Sequence, residues 1–413
     1  MTGSIPNAVD VVVQIDGADV LAGRAWFQHD RPTRPMTFTY DPGYVASANA
    51  YPLDPGLGLD TGSHHTTGLF GAFGDCAPDR WGRRLIQRGL AEEGAPRTLT
   101  EADYLLRISD DLRHGAIRFR SVETGEYLSS GTRVPRLIDL PDLAAAVAGA
   151  EANPHESVKL LLDAGTSTLG GARPKATVRD GDTLYVAKFS RDADEWNVIG
   201  LEKTALDIAE RAGVTVAPRR LATIGEQPVL LTERFDRDRG RRVGYLSAMS
   251  MLQRRDNDPD RADYLDIAEH VEEESADPGA DLRQLWARTA VSVALHNTDD
   301  HLRNHGFLRL RTLRRLGSWR LAAAFDINPN PAAEGRSTAI AGAAPDDEIA
   351  ALMDNAALFR LTGDQARDLL RRVQAAVGAW RELAAANGVA GSDATLLEDA
   401  IALQANSLAA AIR

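Results

Sequence analysis

Three residues have the types and spacing of a phosphoryl-transfer site: Asp299, Asn304 five residues on, and Asp326 beyond two short strand-like runs, GFLRLR and WRLAAAF. Moving a phosphoryl group needs a carboxylate beside the attacking hydroxyl and hard oxygen ligands that hold Mg²⁺ against the phosphates. In that scheme Asp299 is the base, and Asn304 and Asp326 are the metal ligands. Parts that could handle a nucleotide stand upstream in the matching order. The glycine-bearing stretch GTSTLGGARPKATV, starting at residue 165, can lay backbone N–H groups on phosphates. Lys188, in the run DTLYVAKFS, can pair with the same phosphates, and Glu202 on the next helix can orient that lysine. Glu233 and Phe235 end the run QPVLLTERF, where a hinge would meet an adenine edge and an aromatic would cover its face.

Each part alone has a plainer reading. A Gly-Gly turn before a strand is ordinarily a tight turn, a strand lysine an edge residue, and a helix glutamate a surface charge. The group His296, Asp299, Asp300, His301 and His305 could hold zinc through imidazole and carboxylate, but it lacks HExxH spacing and thiolate support. His64-His65 reads as a surface turn. What favours phosphoryl transfer is the joint order of loop, lysine, glutamate, hinge, Asp-x₄-Asn and Asp, because independent coincidences multiply.

The elements that must position these residues can be read from periodicity. Residues 9–40 read as an antiparallel meander, with VDVVVQI, a Gly-Ala-Asp turn, then VLAGRAWFQ. The stretch GLFGAFGDCAPDRWGRRLIQRGLAEEG turns helical, with Trp81, Leu85 and Leu90 on one face and Arg80, Arg83, Arg84 and Arg88 as a solvated face. A helix from about residue 195 to 212 stops at Gly213. A longer one, DLRQLWARTAVSVALHN, carries an apolar stripe of Leu282, Leu285, Trp286, Thr289 and Val293 and delivers HNTDDHLRNH to its C-terminal end. The expected division is 1–125 as a β-rich part, 126–236 as a strand-helix nucleotide part, and 237–413 as a helical part with the catalytic loop.

Composition bounds the possibilities. The chain has 413 residues, 44% of them hydrophobic, enough for a real core. Its net charge of −12 argues against adhesion to nucleic acid or anionic lipid by charge alone. The single cysteine, Cys76, excludes an internal disulfide and a thiolate zinc site. With neither a signal-like N-terminus nor an 18-residue apolar run, the expectation is a cytoplasmic protein without a membrane anchor.

At the residues that carry this chemistry the sequence resembles the HipA family of serine/threonine kinase toxins from bacterial type II toxin-antitoxin systems. The resembling stretches are LGGARPKA at 169–176, VAKF at 186–189, LTERFDR at 231–237, NTDDHLRNHGF at 297–307 and FDINP at 325–329, with weaker similarity through the first 120 residues. The resemblance implies Asp299 as catalytic base, Asn304 and Asp326 as Mg²⁺ ligands, and Lys188 on the ATP phosphates. It implies residues 170–175, with Gly170, Gly171, Ala172, Arg173 and Lys175, as the phosphate loop. Glu233, Arg234 and Phe235 would form the adenine hinge, and His301 and Phe325 would line the nucleotide site. Family members inactivate themselves by phosphorylating a serine in that loop; here the aligned residue is Thr168, beside Ser167 and Thr166. Asp300 departs from a small residue in the best-known relative, and a second carboxylate beside the base would be expected to raise its pKa or alter metal binding.

The family also implies a HipB-like helix-turn-helix antitoxin through which DNA is reached, and a protein substrate of the aminoacyl-tRNA synthetase kind. Taken together, the sequence predicts an α+β, protein-kinase-like two-lobed fold with a β-rich N-terminal lobe and a helical C-terminal lobe, ATP and Mg²⁺ binding between them. Two other readings remain: a small-molecule kinase with the same Asp-x₄-Asn and Asp set, and a non-catalytic co-repressor scaffold in a toxin-antitoxin complex.

Overall fold

The opening strands form because β-branched and aromatic residues fill them and turn residues separate them. The computed structural model describes residues 6–28, 35–92, 99–131, 134–152, 155–164, 173–255, 258, 261–309, 319–330 and 335–413. In it β1 (Ala8–Ile15) pairs antiparallel with β2 (Ala18–Phe27), Ala8 facing Trp26 and Ile15 facing Ala18. The turn is Asp16-Gly17, one residue earlier than the expected Gly-Ala-Asp, with φ of 53° and 85°. A two-residue hairpin favours positive φ at both central positions, which Asp and Gly tolerate and Ala does not. Three further strands, β3 (Met36–Tyr40), β4 (Ser63–Thr66) and β5 (Ile117–Ser121), complete a sheet in the order β4-β3-β2-β1-β5. Gly23 lies where the β1–β2 register slips, and a Cβ there would stand 2.3 Å from the Thr39 carbonyl oxygen, so no larger residue fits.

The helix Arg80–Glu92 buries Trp81, Leu85 and Leu90 and leaves Arg80, Arg84 and Arg88 exposed, while Arg83 pairs with Glu101 at 2.6 Å. A second antiparallel sheet pairs β6 (Lys175–Asp180) with β7 (Thr183–Phe189), and β7 with the strand Gln227–Glu233. Alternation along β7 buries Ala187 and Phe189.

Both sheets lie in one unit, Met1–Asp192 with Ile224–Leu246. The reason is a buried ionic knot between the two sheets' loops. Arg234 donates to both oxygens of Asp236, at 2.9 and 2.7 Å, and also to the Leu112 carbonyl (2.9 Å) and the Thr177 hydroxyl (3.1 Å). Asp236 accepts in addition from the Gly115 N–H at 2.8 Å and from Arg237 at 2.6 Å. Fully buried Arg113 serves the Leu105 and Ile108 carbonyls at 2.8 and 3.1 Å. Buried polar groups are costly unless paired, so these bonds fix the loop 105–115 against residues 234–242.

The second unit, Ala193–Thr223 with Ser247–Arg413, is largely helical. It takes in the helix Val198–Arg211, which the sequence places with the strands. That helix is pinned here by its own polar ends: the Asn197 N–H donates to Asp393 (2.9 Å), and Asn387 Nδ2 donates to Thr204 and Asp207 (3.1 and 3.0 Å). At the centre runs the helix Pro278–Ala294, capped by Asp277, which accepts from the Ala280 N–H at 3.2 Å. Its five-residue stripe is buried as predicted, but burial is wider than a stripe: every residue from Leu285 to Ala294 is buried. Trp286 closes this core by donating to the Leu352 carbonyl at 3.2 Å. Asp281 anchors the following hairpin, Gly306–Arg309 with Trp319–Leu321, by accepting from Arg320 (2.9 Å) and the Leu321 N–H (3.0 Å). Among the described residues no helix is long and apolar enough to cross a membrane.

His114 sits inside the ionic knot, its ring 3.9 Å from that of Tyr245 and its Nε2 3.8 Å from Asp236. Burial pushes its pKa down to about 4, and the attraction of Asp236 offsets only part of that. Because the folded value lies below the ordinary 6.5, the associated stability is whole above pH 6.5 and is lost as pH falls toward 4. Melting curves across this range should show a loss on the order of 3 kcal/mol, and His114→Phe, which keeps a ring without titrating, should flatten that slope.

Candidate active site

The site loop is launched by the end of the central helix. His296, at φ 53°, donates from its N–H to the Val293 carbonyl, and the Asn297 N–H reaches back to the Ser292 carbonyl, both at 2.9 Å. This paired closure usually uses glycine at the left-handed position; histidine fills it here. Beyond it, each carbonyl from His296 to Asp300 finds a donor. That of His296 accepts from the Asn330 N–H (3.1 Å), that of Thr298 from the Ser337 N–H (2.8 Å), and that of Asn297 from Arg336 (2.5 Å). The Asp299 carbonyl accepts from the His301 N–H and from Asn304 Nδ2, both at 3.0 Å, and the Asp300 carbonyl from the Thr338 hydroxyl at 2.6 Å. With its backbone satisfied from several sides, the loop has one geometry.

The two adjacent carboxylates are placed oppositely. Asp299 is exposed, whereas Asp300 is 4% exposed. Asp300 accepts from the Ser292 hydroxyl at 2.7 Å and from the Tyr264 hydroxyl, and His305 Nε2 stands 3.2 Å away. Burial alone would raise its pKa, but His305 and the two hydroxyls outweigh that and hold the carboxyl below the usual range. Burial, and after it the same carboxylate, drives the Tyr264 hydroxyl well above its ordinary value. Asp300 is therefore an anchor of the loop, with its charge spent on the core. Ser292 is the junction: its hydroxyl donates to Asp300 and accepts from Arg336 at 2.8 Å and from Asn297 Nδ2 at 3.2 Å. Arg336 in turn holds both oxygens of Glu348 at 3.1 Å.

Asn304 is buried on the short 3₁₀ turn Leu302–Asn304. Since its amide nitrogen serves the Asp299 carbonyl, Oδ1 is its remaining acceptor. Asp326 is half-buried in the left-handed region, φ 57°, a conformation Asp tolerates better than most residues. Its Oδ1 accepts from Asn328 Nδ2 at 2.9 Å, and the Asn328 N–H donates to Asn297 Oδ1 at 3.1 Å. The structure thus joins Asp299 to Asn304 directly and joins Asp326 to the same loop through Asn328 and Asn297. An amide oxygen and a carboxylate, both hard donors, suit Mg²⁺ better than a softer metal. Among the described residues no three His, Cys, Asp or Glu side chains converge as metal ligands, and His305 faces Asp300 instead. His301 and Phe325, half-buried, flank these residues in sequence.

The remaining expected residues fall in three groups. Gly170, Gly171, Ala172 and the hydroxyls of Thr166, Ser167 and Thr168 lie outside the described residues. Glu202 is buried on Val198–Arg211 in the helical unit. In the β-rich unit Lys188 is half-buried on β7, Arg173 half-buried before β6, and Glu233 pairs with Tyr185 across the sheet. Phe235 lies 6.0 Å from Tyr245, ring to ring. Arg234 departs from the expected hinge. Its guanidinium is the centre of the ionic knot and its N–H donates to the Leu184 carbonyl at 2.9 Å, so neither is left for a nucleotide. Lys175 is buried at 3.4 Å from Asp79, whose pKa burial lifts to about 6 against the pull of that lysine. It braces the start of β6 on the helix that Asp79 caps through the Gly82 N–H.

Sequence reasoning missed Tyr264, Ser292, Asn297, Asn328, Arg336 and Thr338. Ser292 could have been noticed as a hydroxyl inside an otherwise apolar helix turn, and Asn297 by its place two residues before Asp299. Tyr264 and Arg336 come from distant segments and leave no local signal.

HipA of Shewanella oneidensis MR-1, solved with HipB and its operator DNA, has this fold, with a TM-score of 0.67 over 97% of this chain and 96% of its own at 15% identity. The α+β, protein-kinase-like fold expected from the sequence is the fold found. The proinflammatory kinase CtkA of Helicobacter pylori aligns over 59% of this chain and 92% of its own, with a TM-score of 0.41 and 15% identity. No curated protein sequence matches the chain. The HipA-like C-terminal domain model matches residues 167–380, just over half of the 413 residues and the whole of the loop built above, and this chain is a member of the HipA family.

Proposed function

We propose that the protein is a serine/threonine protein kinase toxin that moves the γ-phosphate of ATP to a protein hydroxyl and is neutralised by a DNA-binding antitoxin. The observation that carries the reading is the contrast within residues 299–304. An exposed carboxylate projects from a loop whose carbonyls from His296 to Asp300 are all bonded, and the Asn304 amide is oriented by the Asp299 carbonyl. Preorganisation of this kind suits phosphoryl transfer, where positioning and electrostatics do most of the work.

In the reaction the acceptor oxygen bonds to the γ-phosphorus as the bond to the bridging oxygen breaks, ADP leaves, and Asp299 takes the hydroxyl proton. Asn304 and Asp326 would hold Mg²⁺, which when bound neutralises phosphate charge. Lys188 would pair with the phosphates alongside Gly170, Gly171, Ala172 and Arg173. Glu233 and Phe235 would meet the adenine, with His301 and Phe325 lining the site. Lys175 and Arg234 act as braces in this reading. Membership of the HipA family and the likeness to a HipA solved with HipB and operator DNA support a HipB-like helix-turn-helix partner, through which DNA is reached. By family precedent the substrate would be a protein of the translation machinery, of the aminoacyl-tRNA synthetase kind, and Thr168 or Ser167 would be the self-modified hydroxyl.

Incubating the purified protein with Mg-ATP, then measuring intact mass and mapping peptides, should find one added phosphate on Thr168 or Ser167. Asp299→Ala should slow the transfer about 100- to 10,000-fold. No phosphate on the loop or on any protein of a bacterial lysate would leave the kinase reading without support. Stability should separate the neighbours: Asp299→Ala should melt like the wild type, whereas Asp300→Ala, which strands buried donors, should cost about 3 to 5 kcal/mol in denaturant unfolding.

A further inference from the structure

Asn328 stands two residues after Asp326 and has no part in the reading above, yet it makes both links between that carboxylate and the base loop. Its side-chain Nδ2 donates to Asp326 Oδ1 at 2.9 Å. Its backbone N–H donates to Asn297 Oδ1 at 3.1 Å, and Asn297 Nδ2 continues to the Ser292 hydroxyl at 3.2 Å. Two residues further, the Asn330 N–H repeats the attachment on the His296 carbonyl at 3.1 Å. The segment 328–330 is therefore held at two points along the loop that carries Asp299, and Asp326 hangs from it by a side-chain bond.

A carboxylate can rotate about two side-chain torsions, and a ligand that must be frozen at the moment of metal binding loses affinity. A hydrogen bond to one oxygen removes much of that freedom and turns the carboxylate plane to a set direction. We infer that Asn328 is a positioning residue for metal binding, aiming the Asp326 carboxylate and keeping it in register with the Asp299 loop. The inference rests on the kinase reading of Asp326. It also explains the choice of side chain: an amide donates to the carboxylate without adding a charge of either sign beside a cation site.

The test is the affinity of the full chain for ADP, by titration calorimetry, with and without Mg²⁺. Asn328→Ala and the similarly sized Asn328→Leu keep the backbone N–H and lose only the side-chain donor. Both should leave metal-free ADP binding unchanged and weaken Mg-ADP binding about tenfold, the effect of one bond to a charged group. In an Asp326→Ala background the same substitutions should change nothing further, which a general loosening of the fold would not reproduce. Equal Mg²⁺ enhancement in wild type and folded variants overturns this inference alone. A wild type that binds ADP in neither condition overturns the kinase reading and this inference with it.

Discussion

The hydroxyl of Ser292 is the point on which the polar interior of the helical unit depends. It lies in the last turn of a helix buried on all sides, where an unpaired polar atom would cost as much as a lost hydrogen bond. Its proton goes to Asp300 and its lone pairs to Arg336 and Asn297, so the helix end, the loop that follows it and the distant residue 336 share one oxygen. Once that junction is made, the rest follows from satisfaction of backbone groups. The helix must end at His296, the loop must run past residues 328–338, and its carbonyls must take the donors offered there. The exposed position of Asp299 is a consequence: the interior's donors and acceptors are taken up by its neighbours Asn297, Asp300 and Asn304, and its side chain is left at the surface.

Much of this was legible in the sequence. The order of strand lysine, helix glutamate, Asp-x₄-Asn and Asp is local information, and so is the apolar stripe of the helix that delivers the loop. Strands with period-two burial and helices with clear stops kept their expected places, because patterning decides them. What was not legible depends on where charges end up in three dimensions. Arg234 lies in the LTERFDR stretch, and nothing in the string says that its guanidinium will turn inward onto Asp236 and the Leu112 carbonyl. The same holds for Lys175, read as a phosphate binder and found on Asp79, and for the helix Val198–Arg211, whose unit is set by Asn387 and Asp393 nearly two hundred residues away.

The two knots also show how a chain with a large acidic excess uses its arginines. In the β-rich unit, Arg113, Arg234, Arg237 and Arg242 spend their donors on loop carbonyls and on Asp110 and Asp236. In the helical unit Arg336 does the same for Asn297, Ser292 and Glu348. A planar guanidinium with five donors can bridge carbonyls that no single hydroxyl or ammonium could reach together. Buried basic residues in this protein are therefore evidence about loop structure, and counting them toward an anion-binding surface would misread them.

Asparagine takes the corresponding role around Asp299 and Asp326. Asn297, Asn304 and Asn328 each use an amide to join a backbone or side-chain group of the loop to another part of the site. An amide supplies a donor and an acceptor on one rigid plane and remains neutral, so it can orient a carboxylate or offer an oxygen to a cation without shifting the charge balance that phosphoryl transfer needs. An aspartate at 328 would repel Asp326, and a lysine or arginine would compete with the cation for it. With charged anchors such as Asp300 and Arg336 buried one layer deeper, the neutral amides stand between them and the less buried Asp299 and Asp326, the two carboxylates of the proposed site.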